Sequence, residues 1–233
     1  MPDITSEAKR IYYKVVRSRR RTMCIEVKDD ASVIVRAPLH TAQQAVDRFV
    51  RDKAPWIVRH LARLSAQPVR QFARGESFPY LGREYSLVVE SNGGWPHVQL
   101  EGDKLVACVT GDTSPGSPAL KAALLSWYLD QAASVMSARV DALVRQTGLT
   151  PSRVRIRAQT RRWGSCSLKA SVNLNWRLIM APQAVLDYVI VHELCHLKRH
   201  DHSRQFWDLV ASFVPDYRAH RKWLRENGAR LKL

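Results

Sequence analysis

Over the first 110 residues the apolar positions fall in short, β-branched-rich runs separated by charged or turn residues. Residues 11–16, 23–27 and 33–36 read as strands, and Arg17, Arg19, Arg20 and Arg21 as a hairpin turn between the first two. Thr41-Ala42-Gln43-Gln44 has the capping-box form that starts a helix. Val46, Phe49, Val50, Ile57, Leu61 and Leu64 then recur at helical spacing. Strands resume at 84–90, turn at Asn92-Gly93-Gly94, and return through 98–100 and 105–109.

The pattern breaks at Gly111-Asp112-Thr113-Ser114-Pro115-Gly116-Ser117-Pro118, a stretch too rich in Gly, Ser and Pro to join either neighbour's core. Beyond it the period lengthens. Leu125, Leu129, Ala132, Met136, Val140 and Leu143 mark one face of a long helix that Gly148 and Pro151 stop. Two short strands follow near 154–158 and 172–176, then a half-buried helix over 182–198. Phe206, Leu209, Val210 and Phe213 define another helix, and a last one runs from Asp216 to Asn227-Gly228. The class predicted is α+β. A β-rich N-terminal domain with one helix occupies 1–110, a linker 111–118, and a second domain 119–233. No internal repeat is visible in the sequence.

Composition narrows the setting. The 233 residues carry a formal net charge of +16, and residues 119–233 hold most of the excess, with 19 Lys and Arg against 8 Asp and Glu. Such a field attracts polyanions, so nucleic acid association through a basic surface is one expectation. Cys24, Cys108, Cys166 and Cys195 are scattered and form no C-x-x-C pair, which excludes a disulfide framework and a cysteine-type zinc site. No apolar run suits a signal peptide or a bilayer span. The expectation is a cytoplasmic protein without membrane partners.

His192-Glu193-Leu194-Cys195-His196 fits H-E-x-x-H. Residues four apart on a helix share a face about one turn apart, so His192 and His196 can reach one ion at Zn–N distances of about 2.0–2.1 Å. Glu193 then sits beside the open coordination position as general base. A catalytic zinc wants a third protein ligand. His202, after a turn at Arg199, His200 and Asp201 and before a cap at Ser203, is the first candidate. His200 is its rival, with Asp208 and Asp216 further off. Asn175 and Tyr217 are candidate oxyanion donors.

At these residues the chain resembles the YgjP-like metal-dependent hydrolases, relatives of the WLM and SprT-like zinc metallopeptidases. The resemblance rests on Arg162-Trp163-Gly164-Ser165-Cys166-Ser167, Asn173-Leu174-Asn175-Trp176-Arg177-Leu178, residues 188–197 and His202-Ser203-Arg204-Gln205-Phe206-Trp207. An earlier segment, Phe78-Pro79-Tyr80-Leu81-Gly82-Arg83, looks like the same family. The resemblance implies a zincin-like core, a zinc helix against a small twisted sheet. It also implies His202 as third ligand of one Zn2+ ion and Glu193 as general base. In peptidases of this kind an edge strand holds the substrate backbone, and residues 163–167 or 173–176 would supply it here. Arg199 stands where a related pattern has a turn glycine, which implies a conformational cost at that position.

Arg153, Arg155 and Arg157 alternate with Val154 and Ile156, so a strand would place three guanidiniums on one face; Arg161 and Arg162 follow closely. These five are candidate anion-binding residues. The functional expectation is a zinc-dependent metallopeptidase that uses zinc-activated water on a polypeptide. The alternatives are a metal-dependent nucleotide phosphohydrolase (pyrophosphatase), which the arginines favour, and a protease of DNA-associated protein.

Overall fold

The structure is a computed structural model that describes residues 3–6, 9–28, 30–65, 70–91, 93–159 and 162–233. By internal contacts the chain forms two compact units, Met1–Val69 and Arg70–Leu233. Arg161 lies outside the described residues. Among those described, no helix is long and apolar enough to cross a membrane.

The first unit holds β1 (Asp3–Ser6), β2 (Lys9–Ser18), β3 (Cys24–Val27), β4 (Val33–Pro38) and α1 (Gln43–Ser65). Its sheet order is β1-β2-β4-β3, with β2 and β4 parallel and the other pairs antiparallel. Alternate residues Ile11, Tyr13, Val33, Val35 and Ala37 line one sheet face. Val46, Val50, Ala54 and Ile57, three or four apart on α1, close the core against them. Because β4 lies between β2 and β3, the Arg17–Arg21 run is a crossover and not the expected hairpin turn.

The second unit begins with β5 (Ser77–Tyr80), β6 (Arg83–Ser91), β7 (His97–Glu101), β8 (Lys104–Val109) and α2 (Pro118–Thr147). Its sheet order is β5-β6-β8-β7, again with one central parallel pair, β6 with β8, between two antiparallel ones. Four strands in the same order and sense, followed by a long helix, therefore occur twice. The repeat is one of topology, which explains why no sequence period reveals it. Of the turn expected at Asn92-Gly93-Gly94, Asn92 lies outside the described residues; β7 pairs with β8 and not with β6, so β6 and β7 form no hairpin.

The expected linker at 111–118 does not coincide with the division between units. Phe78, Leu87, Leu105 and Val109 from β5–β8 share one buried cluster with Leu120, Leu124 and Tyr128 of α2. Ser117 and Pro118 belong to the helix: the Ser117 hydroxyl accepts from Leu120 N at 3.3 Å and Pro118 starts the first turn. Gly148, at φ 68°, ends it. The buried face of α2 is also rotated at its start. Leu120, Leu124 and Tyr128 are buried, whereas Leu125 and Leu129 are 42% and 40% exposed.

The rest of the unit comprises β9 (Arg153–Arg157), β10 (Gly164–Cys166), β11 (Ser171–Asn175), a 3-10 turn over Trp176–Met180, α3 (Gln183–Cys195), α4 (Arg204–Phe213) and α5 (Tyr217–Asn227). The small sheet has the order β10-β11-β9, so β10 and β9 are its edges. The class is α+β, with a helix carrying H-E-x-x-H packed on this small sheet.

Two anchors position α3. Arg139 of α2 makes a bidentate pair with Asp187, both contacts at 2.8 Å. The β5–β6 turn docks on the helix start: Leu81 N donates to Ile179 O at 2.8 Å, and Gly82 packs on Pro182. Gly82 has φ +78°, and an added Cβ would lie 2.7 Å from Pro182 Cα, a backbone atom with little room to move. Gly82→Ala should therefore destabilise the second unit by roughly 2 kcal/mol or more, read as a lowered midpoint in urea. An unchanged midpoint would mean that this turn does not support the helix.

Candidate metal centre

The hydrophobic spacing predicts a half-buried helix here, but α3 is enclosed on nearly every side. Val185, Leu186, Val189, Ile190, Val191, Leu194 and Cys195 are all buried. Inside that enclosure His192 and His196 project one turn apart, their ring centroids 4.9 Å from each other.

His202 reaches them from the following loop, with centroids 5.2 Å from His192 and 4.8 Å from His196. The loop tightens as a helical turn: Lys198 N and Arg199 N both donate to Cys195 O, at 3.0 and 3.1 Å. Arg199 is not among the residues with left-handed φ, so the strain expected from a missing glycine does not arise. Asp201 then accepts from the Ser203 hydroxyl at 2.8 Å, and Ser203 caps α4. The buried ring of Phe206 packs under all three imidazoles, with centroids 5.0, 4.5 and 5.0 Å from His192, His196 and His202.

The donor set fits a divalent ion. One ring nitrogen from each histidine lies within 4.8 Å of the other two. His192 Nε2 and His202 Nε2 are 3.3 Å apart. Two nitrogens on one tetrahedral ion at about 2.0–2.1 Å must be separated by about 3.3–3.4 Å. His196 Nδ1 lies 2.8 Å from Arg199 O; donating its proton there leaves the Nε2 lone pair free for a metal. Burial, with the neighbouring histidines and Arg221, brings the His192 pKa down to about 3, which keeps this imidazole neutral, the form that binds metals.

Glu193, one residue on from His192, is 5% exposed, and its Oε2 has no hydrogen-bond partner. Burial pushes its pKa up to about 7, against the opposing positive charge of Arg162. The first residue of β10 makes this placement possible. A Cβ on Gly164 would fall 2.6 Å from both Glu193 Cγ and Oε1. The carboxyl group thus lies directly against the edge strand, where a side chain would exclude it.

The remaining expected residues separate from this cluster. His200 is exposed and outside it, Asp208 pairs with Arg204 at 3.8 Å, and Asp216 pairs with His220 at 3.1 Å. Asn175 is buried and committed: its amide donates to Gln159 O and Arg162 O at 2.8 and 3.0 Å, and its oxygen accepts from Arg177 N. It shapes the loop before β10 and has no donor left for an oxyanion. Tyr217 stacks on Trp207 at 5.1 Å, and its oxygen accepts from Arg218. Of the two possible edge segments, 173–176 falls largely in the central strand β11, so only β10 has a free side toward the cluster.

Strand register also moves the arginine row. Gly164, which faces Glu193, is paired with Leu174, and Leu174 with Ile156. Val154 and Ile156 therefore face α3, while Arg153, Arg155 and Arg157 share the opposite face. Of the five expected anion contacts, Arg162 alone is felt by Glu193 among those described.

Arg221 escaped sequence reasoning, and Gly164 and Tyr188, though within the quoted motifs, were given no role of their own. Tyr188 precedes His192 by one helical turn, a spacing that could have marked it. Beside the cluster opens a cleft of about 330 Å³ whose walls include Trp163, Gly164, Tyr188, His192, Glu193 and Arg221. Burial pushes the Tyr188 phenol up to about 12, so it remains a hydrogen-bond donor.

Among solved structures, two metallopeptidase zymogens are similar. Abylysin of Pyrococcus abyssi is 25% identical over 40% of this chain and 92% of its own, with a TM-score of 0.35. Jannalysin of Methanocaldococcus jannaschii is 18% identical over 39% of this chain and 94% of its own, also at 0.35. No protein of curated function matches the chain significantly. Residues 21–227, most of the chain, match the family described as YgjP-like, metallopeptidase domain. With its converging histidine cluster and buried glutamate, the chain belongs to the YgjP-like metallopeptidase family and is a metal-dependent, peptidase-type hydrolase.

Proposed function

We propose that the chain is a zinc peptidase that holds one zinc ion through His192, His196 and His202 and uses Glu193 as its general base. The observation that carries this reading is the convergence of three imidazole donors beside a buried carboxylate with an unpartnered oxygen. Three nitrogen donors suit zinc better than calcium or magnesium. An ion so held supplies a Lewis acid for a carbonyl and lowers the pKa of a water toward about 7.

The protein's own groups do the rest. The free side of β10 accepts an extended peptide as a further strand. That pairing brings a scissile carbonyl past Gly164 and so beside Glu193. Glu193 takes a proton from the attacking water and returns it to the departing amine. Its raised pKa suits both duties near neutral pH. The Tyr188 phenol, in the wall of the same cleft, is placed to donate to the developing oxyanion. A nucleotide pyrophosphatase reading loses its support, because the arginine row it drew on lies on the sheet face turned away from α3.

Two outcomes test the assignment. His202→Ala should lose zinc to a competing chelator at least tenfold more readily than the parent, and His200→Ala should behave as the parent. Equal retention by both variants would remove His202 as a ligand. Glu193→Gln should keep one equivalent of zinc and lose roughly 100-fold or more of its turnover on a denatured protein. Gly164→Ala should also keep its zinc and lose activity by displacing the same carboxylate. Full turnover in Glu193→Gln would place the proton transfer elsewhere.

A further inference from the structure

The cleft beside the metal centre has a polarity of its own. Trp163, Val189 and Leu224 give it apolar walls, and Arg221 and Arg225, one turn apart on α5, stand at its rim. Both arginines are exposed. Among the described residues the only acidic one in its lining is Glu193, which lies against Gly164. Arg221 is held in place: its guanidinium lies over the Trp207 ring at 4.9 Å, and Trp207 stacks on Tyr217. No described carboxylate lies within ion-pair distance of Arg221, so its charge is not neutralised from within.

We infer that this cleft is a specificity pocket for a carboxylate, taking the side chain of an Asp or Glu next to the bond that is cut in a polypeptide substrate. The inference rests on the peptidase reading and gives it a substrate class. A volume of about 330 Å³ accommodates such a side chain. Apolar walls receive its methylenes, and a planar guanidinium at the rim receives its carboxylate in bidentate fashion. Gly164 belongs both to the free edge of β10 and to the wall of the cleft, so a chain paired along β10 passes its mouth. The net charge of +16 acts in the same direction by concentrating acidic polypeptides near the protein.

The test uses the full zinc-loaded protein and a set of peptides blocked at both ends, differing only in a central Glu, Gln, Leu or Lys. Cleavage sites are read by mass spectrometry. The Glu peptide should be cut next to the Glu with a kcat/KM about tenfold or more above the Gln peptide, the gain expected of a charge-assisted pair. In Arg221→Gln/Arg225→Gln that ratio should fall toward one. In Arg221→Glu/Arg225→Glu it should invert in favour of Lys, a result that misfolding cannot imitate. A peptide with a free C-terminal carboxylate and no acidic side chain separates the two sources of the group: if it alone is favoured, the pocket reads chain ends and not Asp or Glu.

A second readout does not need turnover. Fluorescence anisotropy of the labelled Glu and Gln peptides on Glu193→Gln should show about tenfold tighter binding of the former, abolished by the paired arginine substitutions. That preference without any cleavage by the parent would sink the peptidase reading and leave the pocket standing. Equal binding and equal cleavage of the Glu and Gln peptides would overturn the pocket. An equal loss for all peptides in the arginine variants would also overturn it, and would assign Arg221 to general transition-state stabilisation. Competition by ATP at the same arginines, with no preference among peptides, would overturn it in favour of a phosphate site.

Discussion

Keeping a carboxylate and two neutral imidazoles on a helix that water barely reaches is costly, and the arrangement around α3 follows from that cost. Transfer of such groups from water is unfavourable by several kcal/mol unless partners compensate. Glu193 Oε2 is one of the few buried side-chain polar atoms without a partner among the described residues, and His192 turns its Nε2 toward His202 Nε2 at 3.3 Å. Ordinary hydrogen bonding therefore does not explain why these groups are here. A divalent cation does, because it rewards neutral imidazoles and an adjacent negative charge together. The residues nearby commit to keeping that place open. His196 spends its Nδ1 on a backbone carbonyl, Phe206 fills the floor with a ring that offers no competing donor, and Gly164 withholds a side chain.

A helix under that burden must be fixed from outside. The Arg139–Asp187 pair ties α3 to α2, and α2 is the 30-residue helix that ends the second ββββα segment. The β5–β6 turn of the same segment meets Pro182 at the start of α3. The second copy of the topology is thus a scaffold for the metal helix. In the first copy, α1 is shorter, at 23 residues, and closes its own sheet. The same four-strand plan serves one unit as a self-contained core and the other as a platform.

How much of this could be read from the chain depends on the range of the interactions involved. The H-E-x-x-H spacing is local, and helical geometry turns it directly into a shared face, so His192, Glu193 and His196 were legible. His202 was legible because a short turn and a Ser203 cap bound its position. Pairings between distant strands were not. Nothing in Arg17 to Arg21 or in Asn92-Gly93-Gly94 tells a hairpin from a crossover, since the difference lies in where β4 and β8 insert. Composition made the polar stretch 111–118 read as a linker, but composition cannot say that Ser117 caps a helix whose other side completes the β5–β8 core. Register was the costliest omission. Alternation placed Arg153, Arg155 and Arg157 on one face, but only the pairing of Gly164 with Leu174, and of Leu174 with Ile156, decides which face meets α3.

That same register argument separates two roles for positive charge that the net value of +16 merges. Guanidiniums on the far face of the small sheet act on the surroundings through their summed field, which salt screens over about 8–10 Å. Arg221 is different in kind. It sits in the cleft wall, is held over an indole, and is close enough to bias the protonation of His192 and Tyr188. It also comes from α5, which carries none of the three candidate ligands and lacks the general base. Chemistry on α3 and recognition on α5 can therefore vary independently: a change of charge at the rim alters which side chain the cleft accepts while Glu193 and the histidines keep their geometry.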